Sequence, residues 1–366
     1  MAHIVSAIWS KIERSLFPAL EEALNVELDD DLKRVVSTLE IVRVEEHVRP
    51  CVWSGRGRRP ICRRSIARAY VAKAVLGTPE TKQLRGRLRT DVALRSICGF
   101  MRIQDVPSES TLSRAFAEFA TTAVGQRAHD ALADRHVGDL AVMHLCRDST
   151  AIAAREAPAR KPLKEAKPRQ KCGRKGKDDP PRELTRLEKQ RSQSAKEAFD
   201  ELPTICDVGC KRDTHGNIYR WVGYKEHIDW ADNGFPLTVK ITSASVHDSQ
   251  VAIPLAKQTA SKRTVLYELM DTAYDADHIH QAVRELGHVP IIAIHSRRTK
   301  AIPFDPPTAR RYNVRTVAER GNSRLKDEFG ARFVRVRGAA KVHQHLMFGV
   351  LALCADVLLK MVAGTT

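Results

Sequence analysis

Tyr312, Arg315, Glu319 and Lys326 stand three, four and seven residues apart. On an α-helix, at about 100° per residue, they share one stripe about 60° wide, while Val314, Val317, Gly321 and Leu325 gather on the opposite side. One carboxylate is thereby set among three groups able to touch phosphate. Such a set suits a site that holds a divalent cation beside the phosphodiester on which the cation acts. Taken alone, the stripe also reads as a solvated helix face with i,i+4 charge pairs, so the rest of the chain must decide.

Two further acids stand where strands are expected to end. Leu140-Ala-Val-Met-His-Leu-Cys146 predicts a buried strand that delivers Arg147 and Asp148, and Thr264-Val-Leu-Tyr-Glu-Leu-Met270 predicts another that ends on Asp271. Between them, Ile218 to Lys225 and Phe235 to Ser243 predict a hairpin around Asp232-Asn-Gly. A helix is expected from Asp248 to about Lys257, another from about Asp275 to Leu286, and a fifth strand at Val289-Pro-Ile-Ile-Ala-Ile294. A loop with three prolines then leads to the Tyr312 helix, and a helix from Lys341 to Val362 follows. The order β-β-β-α-β-α-β-α puts the ends of the first and fourth strands side by side, with a later helix able to project a carboxylate toward them. Asp148, Asp271 and Glu319 would then form an oxygen-only cage for two Mg²⁺ ions about 3.5–4 Å apart. One ion would activate a water or a 3′-hydroxyl and the other would stabilise the leaving oxygen. Each acid has a plainer reading: Asp148 a strand-end turn residue, Asp271 a helix N-cap, Glu319 a surface partner of Arg315. Asp248 and Asp275 are the nearest alternatives for the second acid, but Asp248 reads as a helix cap and Asp275 lies a turn too late.

The charge balance agrees with a phosphate-bearing partner. The 366 residues carry 61 Lys+Arg against 44 Asp+Glu, a net +17, which favours a polyanion and nucleic acid ahead of membrane. The most apolar stretch, Leu346 to Gly364, is broken by Asp356 and Lys360 and reads as a packed helix. Without the order of a signal peptide at the N-terminus, a reducing cytosol and free thiols are expected for the eight cysteines. Cys206, Cys210 and His215 lack the second pair that a zinc site needs. His227 and His247 fall near strand ends in the same region and read as structural.

Residues 1–50 read as amphipathic helices, as in Ile12, Leu16, Leu20 and Leu24. Residues 51–135 begin with the basic turn Ser54-Gly-Arg-Gly-Arg-Arg-Pro60. Short helices are expected at Ser65 to Leu76, Thr81 to Leu88, Asp91 to Cys98 and from Ser108 to about Phe119. With Arg63, Arg64, Arg68, Arg85, Arg87, Arg89 and Arg95 this unit suits either a small DNA-binding bundle or a dimerisation module with a basic surface. Residues 136–366 hold the acids and carry a basic insertion, 155–205, after the first of them.

The chain resembles the DDE transposases of bacterial insertion sequences that carry a Y-(2)-R-(3)-E-(6)-K signature, which Tyr312, Arg315, Glu319 and Lys326 match in identity and spacing. Arg147-Asp-Ser-Thr150, Trp221-Val-Gly-Tyr-Lys-Glu-His227, Thr242-Ser-Ala-Ser-Val-His-Asp248 and Met270-Asp-Thr-Ala-Tyr-Asp275 are similar as well. The resemblance implies an α/β fold, with an RNase H-like mixed five-stranded sheet flanked by helices and an all-helical N-terminal domain. It also implies that Asp148, Asp271 and Glu319 are metal ligands, that Tyr312 and Arg315 contact phosphate near the cut, and that Lys326 steadies the element-end strand. The implied activity is binding of terminal inverted repeats, cutting at the element ends and joining of 3′-hydroxyls to target DNA, with Mg²⁺, for which Mn²⁺ substitutes. Expected partners are double-stranded DNA and a second copy in a synaptic dimer, with no membrane, in the bacterial cytoplasm at the nucleoid. A non-catalytic DNA-binding descendant and an RNase H-like nuclease without strand transfer are the other readings. The segment His295 to Arg311 is short where some relatives hold a large insertion that handles a hairpinned end.

Within the insertion, residues 155–197 hold 15 Lys/Arg, 7 Asp/Glu, five prolines and two glycines. So little apolar surface predicts an arm that starts flexible, passes into a helix near Arg182 to Asp200, and is ordered by a polyanion. Replacing 155–197 with a short Gly/Ser linker is expected to weaken binding to specific and random duplexes by similar factors and to flatten the salt dependence. Titrations at several salt concentrations test this, and loss confined to one DNA sequence with an unchanged salt slope would make the arm a base-reading element.

Overall fold

The computed structural model describes residues 16–363 apart from 51, 54, 58–59, 139–140, 161–181, 213–215 and 295–302. Its centre is β1 (Val142–Ala153), which pairs antiparallel with β3 (Ile218–Ala231) and parallel with β5 (Val265–Met270). On the far side of β5 lies β6 (Val289–Ile292), again parallel. On β3, residues 218–223 pair with β2 (Asp207–Arg212) and residues 224–230 with β4 (Pro236–Ser243), both antiparallel. The result is a six-stranded mixed sheet, with the five expected strands in their expected places and β2 added. The turn at Asp232-Asn-Gly is present, with Gly234 at φ +85 and the Asn233 side chain accepting from the Phe235 amide at 3.0 Å.

β1 runs well past the expected end. The apolar run stops at Cys146, yet pairing with β3 continues from Asp148↔Ile228 to Ala153↔Gly223. Asp148 therefore lies inside the strand, not after it. β2 was not expected because Asp-Val-Gly-Cys-Lys-Arg has no apolar alternation. It is held instead by edge pairing, with the Trp221 ring lying over Gly209 so closely that a β-carbon there would sit 2.3 Å from it.

Helices cover both faces of the sheet. α9 (Ser249–Ala260) and α10 (Asp277–Glu285) pack around Met270 and Ile292, and α12 (Thr316–Asp327) crosses β1 and β3 on the other side. α7 (Arg186–Ser192) and α8 (Ala195–Asp200) fill the expected helical span near 182–200 as two pieces. Both rest on α9, where the Lys257 ammonium gathers the carbonyls of Gln190 and Arg191 at 2.9 and 2.8 Å. The middle of the basic arm, 161–181, lies outside the described residues.

The N-terminal helices are α1 (Asp30–Val42), α2 (Arg63–Val75), α3 (Thr81–Thr90), α4 (Val92–Ile97), α5 (Glu109–Thr121) and α6 (Val124–Val137). Asp91 and Ser108 cap α4 and α5 by accepting from the amides of Leu94 and Thr111. α6 was not anticipated, since half of its apolar residues are alanines. Leu16, Leu20 and Leu24 fall in a helical stretch, while Ile12, Ser54, Arg58 and Arg59 lie outside the described residues. Several arginines of this module serve its own structure. Arg95 is buried and donates to the carbonyls of Leu88 and Arg89, Arg63 pairs with Glu118, and Arg68 pairs with Glu45.

α13 (Ala339–Ala363) joins the two halves into one hydrophobic core. Tyr70 of α2 stacks on Phe348 with ring centroids 5.7 Å apart, and the Gly125 amide of α6 donates to the Gln344 side chain at 3.1 Å. α13 is long and apolar enough to cross a membrane, but its Val342 and Leu346–Ala355 stretch is buried against α2, α6 and β4.

Gly321 on α12 sits against Trp230, whose side chain is fully buried, and a β-carbon at 321 would lie 2.5 Å from the ring. Gly321→Ala is therefore expected to cost about 1–3 kcal/mol, because neither the ring nor the helix has room to give. Urea unfolding should show a lower midpoint with an unchanged slope, and a wild-type midpoint would mean that α12 can lift from the sheet at little cost.

Candidate active site

Asp148 on β1 and Asp271 at the end of β5 occupy the same level on adjacent parallel strands, two residues beyond the Cys146↔Leu269 pair. Burial pushes the Asp148 carboxyl up to about 6, and the Asp271 charge adds to it against the Ser149 amide, Arg315 and Lys211. Asp271 is also raised, first by burial and then by Asp248, although its side chain accepts from the Ala273 amide at 2.9 Å. That bond caps a short 3-10 turn, Thr272–Tyr274, which stands between β5 and α10. Asp271 is thus an N-cap and a member of the acidic pair at once. Two half-buried carboxylates, each raised by burial and by a neighbouring acid, are poor anions alone and good donors to a cation.

The signature residues do not share one helix. α11 (Pro306–Asn313) ends with Tyr312 in its last turn, and α12 starts at Thr316, so Val314 and Arg315 form a junction. The Thr316 hydroxyl donates to the Asn313 carbonyl at 3.0 Å, and the amides of Arg315 and Val317 bond three residues back, which tightens the chain there. The junction lies over β1, where the Cys146 thiol meets the Val314 carbonyl at 3.5 Å. Glu319 and Lys326 remain on one face of α12, with Val317, Gly321 and Leu325 buried on the other.

Arg315 links the two parts of the site. Its guanidinium lies 5.8 Å from the Tyr312 ring centroid and 2.5 Å from a Glu319 oxygen, and its charge acts on Asp148 and Asp271. Tyr312 is half-buried against Phe304, with centroids 5.0 Å apart. Glu319, by contrast, is 55% exposed and turned to Arg315. Among the described residues no group of three His, Cys, Asp or Glu is close enough to hold a metal ion. The expected convergence of three acids is therefore present as a pair, with Glu319 held apart by its ion pair. Asp148 and Asp271 fit a divalent cation as oxygen donors. Glu319 would join them only by exchanging Arg315 for the cation.

The alternatives for the second acid are otherwise engaged. Asp248 makes no cap bond and instead pairs with Lys225 at 2.9 Å, and Asp275 meets His280 at 3.3 Å. His227 is buried and bonded to Thr242 at 2.8 Å, and His247 bonds Ser249. Cys206 is buried and Cys210 exposed, both as free thiols, while His215 lies outside the described residues.

Three residues that the sequence did not single out complete the surroundings. The Asn322 amide donates to Asp148 at 2.9 Å from the sheet-facing side of α12. Lys211 on β2 sets a positive charge near both aspartates and Lys326. Glu226 pairs across from Thr150 on β3, on the face that carries Asp148. It is fully buried, neither carboxylate oxygen has a hydrogen-bond partner, and its nearest opposing charge is Lys326. A signal existed for Glu226 in its place within the Trp221 to His227 motif, two residues from the end, but a lone acid in a strand reads as solvated.

Burial pushes the Glu226 carboxyl up to about 8, partly offset by Lys326. The folded state thus holds a proton that the unfolded chain releases near its ordinary value, and stability falls as pH rises from about 4.5 to about 8. Glu226→Gln is expected to remove that slope and to raise stability at pH 8 by a few kcal/mol. Denaturant unfolding at several pH values checks it, and parallel curves for both proteins would mean that Glu226 ionises freely.

A family model described as transposase DDE domain matches residues 143–355, more than half of the chain, and one described as transposase domain matches residues 20–118. No curated protein and no solved structure matches. The first span begins at the strand of Asp148 and ends inside α13, and the second covers α1 to α4 and most of α5, so the strand order and the sequence match agree: the chain belongs to the DDE transposases of insertion sequences.

Proposed function

We propose that the chain binds the terminal inverted repeats of a bacterial insertion sequence, cleaves DNA at the element ends and joins the 3′-hydroxyls to target DNA, acting as a dimer in a synaptic complex at the nucleoid. The family works on DNA and generally uses divalent metal. The observation that carries the reading is the pairing of Asp148 with Asp271 on one sheet face, under a helix whose Asn322 bonds Asp148 and whose outer face carries Glu319 and Lys326. Asp148 and Asp271, joined by Glu319, are the residues that would hold two Mg²⁺ ions. Those ions supply activation of the attacking water or 3′-hydroxyl and stabilisation of the leaving oxygen. Asn322 orients Asp148 by bonding one of its oxygens and leaves the other free to act as a donor. Arg315 passes between acids and substrate: releasing Glu319 frees its guanidinium for a phosphate, which it can hold by two parallel bonds. Tyr312 packs beside it and sets its direction, and Lys326 meets the strand beyond the cut. No covalent protein intermediate is needed, since a hydroxyl oxygen forms the new P–O bond as the old one breaks.

A duplex carrying the element end, incubated with the protein, Mg²⁺ and a supercoiled plasmid, should yield joined products. Binding alone would mark a non-catalytic descendant, and cut ends without joining would mark a nuclease. Glu319→Gln is expected to lower cutting and joining by more than about a hundredfold with end binding largely kept, because one ligand charge is lost far from the N-terminal helices. Asp148→Asn and Asp271→Asn should behave alike, Mn²⁺ should support the reaction, and Ca²⁺ should allow binding with little cutting. Wild-type rates from the Glu319→Gln protein in Mg²⁺ would sink the assignment.

A further inference from the structure

A second feature lies away from the acids. Where the helical module meets the segment between α12 and α13, a cleft of about 570 Å³ opens. Lys73, Arg155, Arg335, Arg337 and Lys341 line it, and Glu109 is the one acid among its lining residues. Elsewhere single cations are answered closely by carboxylates, as in Arg63 with Glu118 at 2.7 Å. Here five cations share Glu109 and the nearby Glu80. Lys73 is buried, its ammonium bonded only to the Pro79 carbonyl at 3.1 Å, and Arg337 donates to the Arg155 carbonyl at 3.0 Å. Arg335 meets Glu80 only at 4.0 Å, with both side chains over two-fifths exposed. Like charges in excess of their counter-ions repel one another, and an external anion relieves that repulsion.

The chain supplies a path from the acids to this cleft. After Lys326, the segment from Arg332 to Arg337 is not helical, and its valines and arginines take opposite sides. Val334 is buried and Val336 half-buried, while Arg332, Arg335 and Arg337 are exposed. The valines fasten the segment to the core and the arginines continue the basic line that Lys326 begins. β1 connects the same two places, because Arg155 follows Asp148 by seven residues. At about 3.3 Å per residue the separation is at most about 23 Å, the length of about seven nucleotides at about 3.4 Å each.

We infer that this cleft binds the sugar-phosphate backbone of DNA as the duplex leaves the acids, bridging the helical module and the sheet domain about seven nucleotides from the phosphate at Asp148 and Asp271. The inference rests on the function proposed above for the acids, and it adds a contact that the signature residues do not provide and to which the basic arm gives only its first residue, Arg155. Backbone recognition follows from the lining, in which five cations gather and suit phosphate.

The test compares Arg335→Glu/Lys341→Glu with a charge-matched control outside the cleft, Lys262→Glu/Arg284→Glu, on the full chain with a fluorescein-labelled random duplex. The cleft variant should bind at least about tenfold more weakly near 0.1 M salt, and its log–log salt slope should fall by about 1.8, the amount for two lost phosphate contacts. The control should lose clearly less of both. A thermal melt confirms folding, and Arg335→Ala/Lys341→Ala replaces the variant if charge reversal misfolds it. A photo-crosslinker on Lys341→Cys should mark a nucleotide about seven from the cut. Equal losses in cleft variant and control, or no loss in either, would overturn the inference. Affinity is read without cutting, so an inactive wild type that still binds through the cleft removes only the catalytic reading. A wild type that binds no duplex removes both.

Discussion

The Arg147 guanidinium is buried completely at the centre of the sheet, where a lone charge would be untenable, and the strands around it are arranged to answer it. Asp229 on β3 takes two of its bonds, at 2.7 and 2.9 Å, and Glu268 on β5 takes a third at 2.7 Å. The Thr259 hydroxyl of α9 donates to the Asp229 oxygen that Arg147 shares, and His288 bonds the other oxygen of Glu268, at 2.7 Å each. Burial alone would push Glu268 up, but Arg147 and His288 together bring it below the ordinary value. The cluster couples the antiparallel half of the sheet to the parallel half through one residue of the central strand. Removing Arg147 would leave two buried carboxylates without their cation, the costly case for such networks. Asp148 is the next residue, on the opposite face, so the same bonds that satisfy Arg147 fix the height of Asp148 relative to Asp271.

On that opposite face the restraint is steric. Trp230 fills the space beneath α12, and Gly321 is the place where the helix comes down onto it. Such contact leaves one depth for the helix, and Asn322 then meets Asp148 without adjustment. The acids are thus positioned from two sides by different physics: a charge network below the sheet and a packing contact above it. Glu319 is the exception. It is tied to the protein only through Arg315 and the backbone of α12, and it is the most exposed of the three acids.

Much of this was legible in the sequence because it depends on short-range patterns. The five expected strands are apolar runs of ordinary strand length, and Val317, Gly321 and Leu325 mark the buried side of α12 by helical spacing alone. What was not legible depends on partners far along the chain. β1 continues through Ser149 and Thr150 because β3 is there to pair with it, and β2 exists because β3 is longer than its own apolar run. The break between α11 and α12 turns on a single hydroxyl, that of Thr316, which no period reports. Asn322 and Glu226 were passed over for a similar reason: polar residues on a buried face look the same, in sequence, as polar residues in water. The strand positions that bring Asp148 and Asp271 together could be read in advance, but a spacing cannot state which carboxylate an arginine will occupy.

The placement of α13 also bears on how the protein is made. Tyr70 and Phe348 are in contact across most of the chain, and α2 and α6 are closed by a helix that follows the whole sheet domain. During synthesis the helical module therefore emerges with part of its core facing water and keeps it so until α13 arrives. Contacts so distant in sequence form late and slowly, and an exposed apolar face in the interval is an opening for chaperones or for association with another nascent chain. A prematurely ended product would lack the helix that completes its own N-terminal module. Such fragments would thus be poorly folded from the first helices onward, and poor competitors for whatever the intact module binds.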